Sequence, residues 1–302
     1  MKMMRIVSVV AGLAMMALPS SLFAQTLWRM DVNGTNSGWG PNPRVGTLDT
    51  NVTGSSVIWT TSTAGTATPI AWPGKDWPTT PDHILLRAID ETTQAAQGTY
   101  TAANPSHIIT VVGTQVVNAV FVTHGGAAIL TGGVIRVNSS GPFRVGENTA
   151  HNTLLVYSDV QYGQLTNTPA AIEYTATSVG APGTVGANNN TLRFFGEIYG
   201  YLSSGMQVGL QAAQNDPSVG ISRIILEASS VIHNGNSTDL FVPVGRAGGG
   251  ANSNNTGRVE FHGTNTYTGW TRFVGGTTVA FTDAMPGQPG AFGTSAAALQ
   301  IG

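Results

Sequence analysis

The stretch that decides the predicted fold is GGAAILTGGVIRVNSSGPFRVGEN, from Gly125 to Asn148. It holds three short β-forming runs, Ala128–Leu130, Val134–Val137 and Phe143–Val145, which are separated by Gly-Gly and Asn-Ser-Ser-Gly. A short strand, a corner and another short strand are typical of a β-solenoid, in which each rung contains two or three strands. The inward residues of one rung then stack over those of its neighbours. We therefore predict a β-helix.

Similar runs, separated by Gly, Asn, Pro and Ser, recur on both sides of this stretch, and their spacing predicts an all-β protein. The other predicted strands are Val57–Thr61, Ile108–Val112, Val116–Thr123, Thr153–Tyr157, Ala171–Tyr174, Thr191–Phe195, Met206–Leu210, Ile221–Glu227, Val231–His233, Leu240–Val242, Arg258–His262, Thr277–Phe281 and Leu299–Ile301. Ile84–Ala95 is the one segment whose pattern predicts two or three helical turns. A sandwich is the alternative to the solenoid. A membrane barrel needs strands of about ten residues and aromatic girdles, whereas aromatic residues make up 8% of this chain.

The first residues have the pattern of a secretory signal peptide. Lys2 and Arg5 precede the apolar run Ile6–Leu18, and a small-residue segment follows that ends at Ala24. The apolar run is shorter than the roughly 20 residues that a membrane span needs. We therefore predict a signal peptide over residues 1–24, with cleavage after Ala24. The mature segment is expected to be secreted and not to span the membrane.

The composition is poor in charge. Charged residues are 9% of the chain and the net charge is −2, whereas soluble domains average about 25% charged residues. Lysine occurs only at Lys2 and Lys75, and a net charge of −2 gives no basic surface for nucleic acid. Neutral Asn and Thr suit stacked strands, because like charges repel at a spacing of about 4.8 Å. Cysteine is absent, so no disulfide stabilises the fold.

The region 25–105 differs from the rest of the chain. It is rich in proline and contains five of the six tryptophans: Trp28, Trp39, Trp59, Trp72 and Trp77. We predict that it is an N-terminal cap or an irregular β region, which covers the first strand edge. The alternative is that exposed tryptophans stack on sugars. The β-solenoid is predicted over residues 106–302.

No motif in the sequence points to a cofactor. The six histidines are scattered: His83, His107, His124, His151, His233 and His262. Without cysteine or a His-carboxylate cluster, a transition-metal site is not expected. Calcium-loop and phosphate-loop motifs are also absent. We therefore predict no catalytic, cofactor-binding or metal-binding residues.

One enzymatic alternative remains open, because glycoside hydrolysis needs two carboxylates about 5–9 Å apart. Glu173, Glu197 and Glu227 lie 24 and 30 residues apart, which is close to one solenoid rung each, so they could line one face. A polysaccharide lyase or glycosidase is the corresponding function. The favoured interpretation is that these carboxylates point outward and aid solubility.

The last 46 residues, GRVEFHGTNTYTGWTRFVGGTTVAFTDAMPGQPGAFGTSAAALQIG, contain the most specific motif of the chain. Its residues are Gly263, Asn265, Thr266, Tyr267, Thr268, Gly269 and Thr271, followed by Ala284–Met285–Pro286 and Leu299–Gln300–Ile301. The segment 258–302 resembles the autotransporter-associated β-strand repeat, also called the passenger-associated transport repeat. Trp270 stands where family members usually have glycine. The resemblance implies a right-handed parallel β-helix that is exported to the cell surface, where the repeat assists export and folding.

These observations together predict the N-terminal part of an autotransporter-like passenger, and the stack is expected to continue beyond Gly302. Its expected role is structural or adhesive, without catalysis. The expected partners are cell-surface or extracellular polysaccharide, or another passenger. Stacked Asn, Thr and aromatic side chains would form the binding surface.

Overall fold

The computed structural model describes residues 27–30, 43–50, 58–61, 68–73, 83–87, 100–117, 119–137, 143–146, 151–162, 171–178, 190–201, 206–214, 223–244, 257–273, 277–282, 288–294 and 299–301. Within these ranges the chain forms β-strands and no helix. No helix in the described part is therefore long and apolar enough to cross a membrane. The predicted signal peptide, 1–24, lies outside the described residues.

The strands form three sheets. The first sheet contains β1 (Leu27–Met30), β3 (Trp59–Thr60), β4 (His83–Arg87), β7 (Ala119–Thr123), β10 (Phe143–Gly146), β13 (Ala171–Ser178), β16 (Met206–Gln214), β19 (Leu240–Val244), β21 (Thr271–Phe273) and β23 (Leu299–Ile301). The second contains β2 (Arg44–Leu48), β5 (His107–Val111), β8 (Ala127–Thr131), β11 (Asn152–Val156), β14 (Asn190–Phe194), β17 (Arg223–Leu226), β20 (Arg258–Phe261) and β22 (Thr277–Ala280). The third contains β6 (Thr114–Val117), β9 (Val134–Val137), β12 (Asp159–Tyr162), β15 (Ile198–Gly200) and β18 (Ile232–His233).

Successive strands enter the three sheets in turn. This cycle gives five coils: coil 1 (β4–β6), coil 2 (β7–β9), coil 3 (β10–β12), coil 4 (β13–β15) and coil 5 (β16–β18). Coil 6 contains β19, β20 and residues 263–269, and coil 7 contains β21, β22 and residues 288–294. The described strand pairs are parallel except for β1 with β3. The all-β prediction is confirmed, and the long parallel sheets are compatible with a β-solenoid.

The core is built from rows of aligned apolar side chains. One row of the second sheet runs from coil to coil in strict register, through Ile109, Leu130, Val156, Phe194, Leu226 and Phe261. Each of these side chains is at most 1% exposed. Burying one such side chain contributes about 1.5–3 kcal/mol, so every coil adds apolar contact to the coils on both of its sides. Because apolar and polar residues alternate along a strand, the apolar residues form the interior and the polar residues form the outer face.

The predicted strand Val116–Thr123 is two strands in different sheets. β6 ends at Val117 in the third sheet, and β7 begins at Ala119 in the first sheet. The inward side chains Val117 and Val120 are three residues apart rather than two, so the alternation is broken between them. The sequence holds no Gly or Pro at this corner to reveal the change of direction.

The prediction of a helix over Ile84–Ala95 is wrong in its first four residues, which belong to β4. Ile84 and Leu86 are completely buried, and β4 pairs in parallel with β1 and with β7. Backbone pairing on both sides, together with alternate burial, outweighs the weak local preference for helix. Residues 88–95 lie outside the described part.

The region 25–105 contributes β1, β2 and β4 to the same sheets that continue beyond it. Two of its tryptophans fill the interior: Trp59 and Trp72 are 0% and 2% exposed, with ring centroids 5.1 Å apart. Trp28 packs on Trp72 at 6.3 Å, and Trp59 Nε1 donates a 2.9 Å hydrogen bond to Thr47 O. Trp59 and Trp72 are therefore not available for stacking on sugars. Trp39 and Trp77 lie outside the described residues.

Candidate functional site

Residues 263–269 of the repeat motif form one side of coil 6, Thr271 begins β21 of coil 7, and the motif alternates between the interior and solvent. Its buried members are Gly263, Asn265, Tyr267, Gly269 and Thr271, and its exposed members are Thr266 and Thr268. This alternation is that of an extended chain, although only Thr271 belongs to a regular strand. Ala284–Met285–Pro286 lies outside the described residues.

Asn265 occupies an interior position that coils 2 to 5 fill with the aliphatic side chains Ile135, Val160, Ile198 and Ile232. The Thr266 amide donates to Ile232 O at 2.9 Å, which sets Asn265 in line with Ile232 of coil 5. The Asn265 side chain accepts a 2.8 Å hydrogen bond from the Ile232 amide and donates a 2.7 Å hydrogen bond to Ala291 O. Both ends of the buried amide are therefore satisfied, as buried polar groups require.

Tyr267 is completely buried, and its hydroxyl hydrogen-bonds to the Thr271 hydroxyl. The Thr271 hydroxyl itself donates to Phe292 O at 3.2 Å, so the Tyr267 hydroxyl is the donor in the first bond. Burial raises the pKa of Tyr267, and the Thr271 hydrogen bond opposes this only in part. The phenol therefore stays protonated. Its ring packs in the interior, and its hydroxyl donates one hydrogen bond.

The two motif glycines lie where another backbone segment passes so close that a side chain has no room. A Cβ at Gly263 would overlap Ser230 O of coil 5, and a Cβ at Gly269 would overlap Leu240 O. The exposed Thr268 also contacts an earlier part of the chain, because its backbone amide donates a 3.0 Å hydrogen bond to the Asn234 side chain. These residues of the motif thus form contacts between coils rather than a solvent-facing pocket.

The structure places the three candidate glutamates on different sheets. Glu173 lies on β13 of the first sheet, and its side chain is outside the described part. Glu227 follows β17 of the second sheet and is ion-paired with Arg193, whose Nε lies 2.7 Å from the carboxylate. Glu197 precedes β15 of the third sheet and accepts from His233 at 3.3 Å. The hypothesis that these residues line one face is therefore wrong.

A different carboxylate lies beside Glu197, and sequence reasoning missed it. Val160 pairs with Ile198, so Asp159 and Glu197 precede aligned residues on adjacent strands. The Glu197 amide donates a 2.9 Å hydrogen bond to the Asp159 carboxylate. The signal that could have found this pair is the repeated pattern acid-aliphatic-polar, which is Asp-Val-Gln at 159–161 and Glu-Ile-Tyr at 197–199.

Next to this pair, a row of polar and aromatic side chains crosses the outer face of the third sheet. The row consists of Arg136, Gln161, Tyr199 and His233, which are in register on β9, β12, β15 and β18. We call these four residues, together with Asp159 and Glu197, the third-sheet cluster. Arg136 Nε donates to Gln161 Oε1 at 2.8 Å, and the Tyr199 and His233 rings stack with centroids 5.0 Å apart.

The electrostatics of the third-sheet cluster follow from these contacts. Burial raises the pKa of Tyr199, and the negative charges of Asp159 and Glu197 raise it further, whereas Arg136 opposes them. The Gly235 amide donates to His233 Nδ1 at 3.1 Å. Neutral His233 therefore carries its proton on Nε2 and donates it to Glu197. The cluster holds one guanidinium against two carboxylates, which is a formal net charge of −1.

Among the residues that the structure describes, no group of three or more His, Cys, Asp or Glu side chains is arranged to hold a metal ion. The chemistry that the third-sheet cluster offers is hydrogen bonding, with the exposed Glu197 and half-buried Asp159 carboxylates as acceptors and with guanidinium and phenol donors.

No protein-family model matches this sequence, and neither a curated protein nor a solved structure is significantly similar to it.

Proposed function

We propose that the chain is a right-handed parallel β-helix, exported by its signal peptide and displayed at the cell surface as part of an autotransporter-like passenger. Its role there is structural or adhesive, and it does not catalyse a reaction. The proposal combines the resemblance of segment 258–302 to the autotransporter-associated repeat with the parallel sheets of the described part.

The observation that carries the proposal is the use of the motif side chains. Asn265 links coil 6 to both neighbours, Tyr267 fills the interior, and Gly269 permits close approach of backbone. Each coil of a stacked β-architecture gains its stability from the adjacent coils. A motif that secures one coil to the next therefore supports folding of an exported chain from one end to the other.

Surface display is tested by expressing the complete gene in a Gram-negative host and treating intact cells with protease. We expect antibodies against the purified chain to label intact cells, and we expect external protease to remove that signal. A variant that lacks residues 1–24 is the control, and it should stay inside the cell. Full protection of the intact-cell protein from protease would contradict the proposal.

The role of the motif in export is tested with a pair of variants. Asn265→Ala should reduce the amount of protein at the surface, because it leaves two backbone groups between coils without partners. Thr266→Ala changes an exposed side chain of the same motif and should leave the surface amount unchanged. Equal surface amounts for both variants would show that the motif does not assist export.

The alternative function is that of a carbohydrate-active β-helix, such as a polysaccharide lyase or glycosidase. One observation favours it, which is that Asp159 and Glu197 are adjacent on one outer face. We expect the purified protein to release neither reducing nor unsaturated sugar ends from polysaccharides. Release that is lost in Asp159→Asn and Glu197→Gln would replace the adhesive role with the enzymatic one.

A further inference from the structure

The third-sheet cluster concentrates polar chemistry in a protein that has little charge elsewhere. Charged residues are only 9% of the chain, yet Arg136, Asp159 and Glu197 lie on three adjacent coils of one face. Gln161, Tyr199 and His233 add an amide, a phenol and an imidazole to the same face. Such a mixture of planar polar groups offers both donors and acceptors to a ligand.

The cluster is held in place before any ligand arrives. Gln161 holds Arg136, the Arg136 guanidinium lies 4.1 Å from the centre of the Tyr201 ring, and His233 holds Glu197. Asp159 is held by the Glu197 backbone amide. Fixed side chains lose little conformational entropy when they bind, so preorganisation favours affinity.

Most of the acceptor capacity of the two carboxylates stays available. Within the described part, Asp159 accepts one backbone hydrogen bond and Glu197 accepts one from an imidazole, whereas an ionised carboxylate offers about four acceptor positions. The Glu197 side chain is 56% exposed. By contrast, Glu227 and Glu260 of the second sheet are paired with Arg193 and Arg258.

The rings of the cluster favour hydrogen bonding over stacking. Tyr199 and His233 lie nearly parallel, at 16°, and stack along the direction in which the coils follow one another. Each ring therefore turns one face towards the other ring. A ligand on this surface meets the Tyr199 hydroxyl and the carboxylates rather than two open ring faces.

From these observations we infer that the third-sheet cluster is a binding site for a glycan that presents hydroxyl and ammonium donors, such as an oligomer of glucosamine. The formal charge of −1 favours amino sugars and disfavours uronic acids and sulfated sugars. Arg136 supplies a donor for ring or hydroxyl oxygens. This inference rests on the proposed adhesive function and assigns the adhesion to one face of the molecule.

The test is calorimetric titration of the purified secreted protein with a glucosamine hexamer and with a galacturonate hexamer. The wild type should bind the glucosamine hexamer and not the galacturonate hexamer. Asp159→Asn and Glu197→Gln should each weaken binding by roughly tenfold, because each weakens a charge-assisted hydrogen bond. The double variant should bind no hexamer at the concentrations at which the wild type saturates.

The matched control is Glu227→Gln, which makes the same chemical change on the second sheet, where the carboxylate is paired with Arg193. Its affinity for the glucosamine hexamer should equal that of the wild type. Thermal unfolding of all variants shows whether a loss of binding reflects a loss of fold. Glu197→Gln should unfold within a few degrees of the wild type, because its side chain is more than half exposed.

The outcomes distinguish the inferred glycan site from the proposed surface display. Equal affinity of the wild type and the double variant, preference for the galacturonate hexamer, or no binding of either hexamer would overturn the inferred site. None of these results affects surface display, which protease accessibility measures independently. Hydrolysis of the hexamer during the titration would instead overturn the non-catalytic function.

Discussion

Asn265 lies in line with Ile232 of the preceding coil, and its side-chain oxygen accepts a 2.8 Å hydrogen bond from the Ile232 amide. The other end of the same side chain donates to Ala291 O of the following coil at 2.7 Å. One buried amide thus joins three successive coils. A side chain that bonds in both directions along the stack couples the stability of each coil to that of its neighbours.

The first prediction concerns this link. Asn265→Ala removes the partners of a buried backbone amide and a buried carbonyl, and each unsatisfied group costs about 1–3 kcal/mol. We expect the free energy of unfolding to fall by about 3 kcal/mol in urea denaturation. The exposed neighbour Thr266→Ala should change it by less than about 0.5 kcal/mol. Equal changes in the free energy of unfolding for the two variants would mean that the two hydrogen bonds of Asn265 do not contribute to stability.

The second prediction compares two glycines. A Cβ at Gly269 overlaps Leu240 O, whereas a Cβ at Gly113 meets no atom within 4 Å but must accept a φ of +63°. Gly113→Ala should cost about 1–2 kcal/mol, the penalty of a left-handed backbone. Gly269→Ala should cost more, because the backbone at Leu240 must move away to make room. Thermal unfolding of the two variants, measured side by side, tests the order.

The third prediction is a loss of stability at alkaline pH through Tyr267. Because burial raises its pKa above the unfolded value of about 10, the folded state keeps a proton that the unfolded chain loses. The stabilising contribution is complete below about pH 10 and declines as the pH rises above it. Urea midpoints between about pH 9 and about pH 11 should fall more steeply for the wild type than for Tyr267→Phe. Equal pH dependence of the urea midpoints in the wild type and in Tyr267→Phe would contradict this prediction.

The fourth prediction is a loss of stability at mildly acidic pH through His107. Burial lowers its pKa well below 6.5, and the Arg44 charge lowers it further. Arg44 Nη1 lies 3.4 Å from His107 Nε2, and the Ser106 hydroxyl lies 2.8 Å from Nδ1. Neutral His107 therefore carries its proton on Nδ1, because a guanidinium can only donate.

The unfolded chain binds a proton at this histidine below about pH 6.5, whereas the folded chain does not. Stability is therefore complete above that pH and declines as the pH falls. Between about pH 8 and about pH 5 the wild type should lose more unfolding free energy than His107→Gln. If the unfolding free energy of His107→Gln changed with pH as steeply as that of the wild type, the lowered pKa of His107 would be refuted.

Much of the strand pattern could be predicted, because short apolar-alternating runs between turn residues are a local property. Val134–Val137 and Leu299–Ile301 agree with β9 and β23 at both ends. β12 and β15 were missed, because their outward residues are polar or aromatic and their inward apolar residues are few. β4 was mistaken for a helix, because its pairing partners β1 and β7 are distant in the sequence.

The candidate site could be predicted only in part. The repeat motif was found, because its residues are contiguous and their alternation matches an extended chain. The third-sheet cluster was missed, because its members come from four separate coils. The glutamates chosen by spacings of 24 and 30 residues lie in or directly beside strands of three different sheets.

The sequence by itself determined that this chain forms short β-strands with an apolar interior and a nearly uncharged exterior. It did so because alternation, turn residues and composition act over a few neighbouring positions. Only the tertiary structure decided which side chains stack on one another. Aligned partners are 25 residues apart from Arg136 to Gln161 but 38 apart from Asp159 to Glu197. Parallel pairing fixes which residues align, but the number of residues between strands differs from coil to coil. The position of a carboxylate on the surface therefore depends on the length of every coil before it.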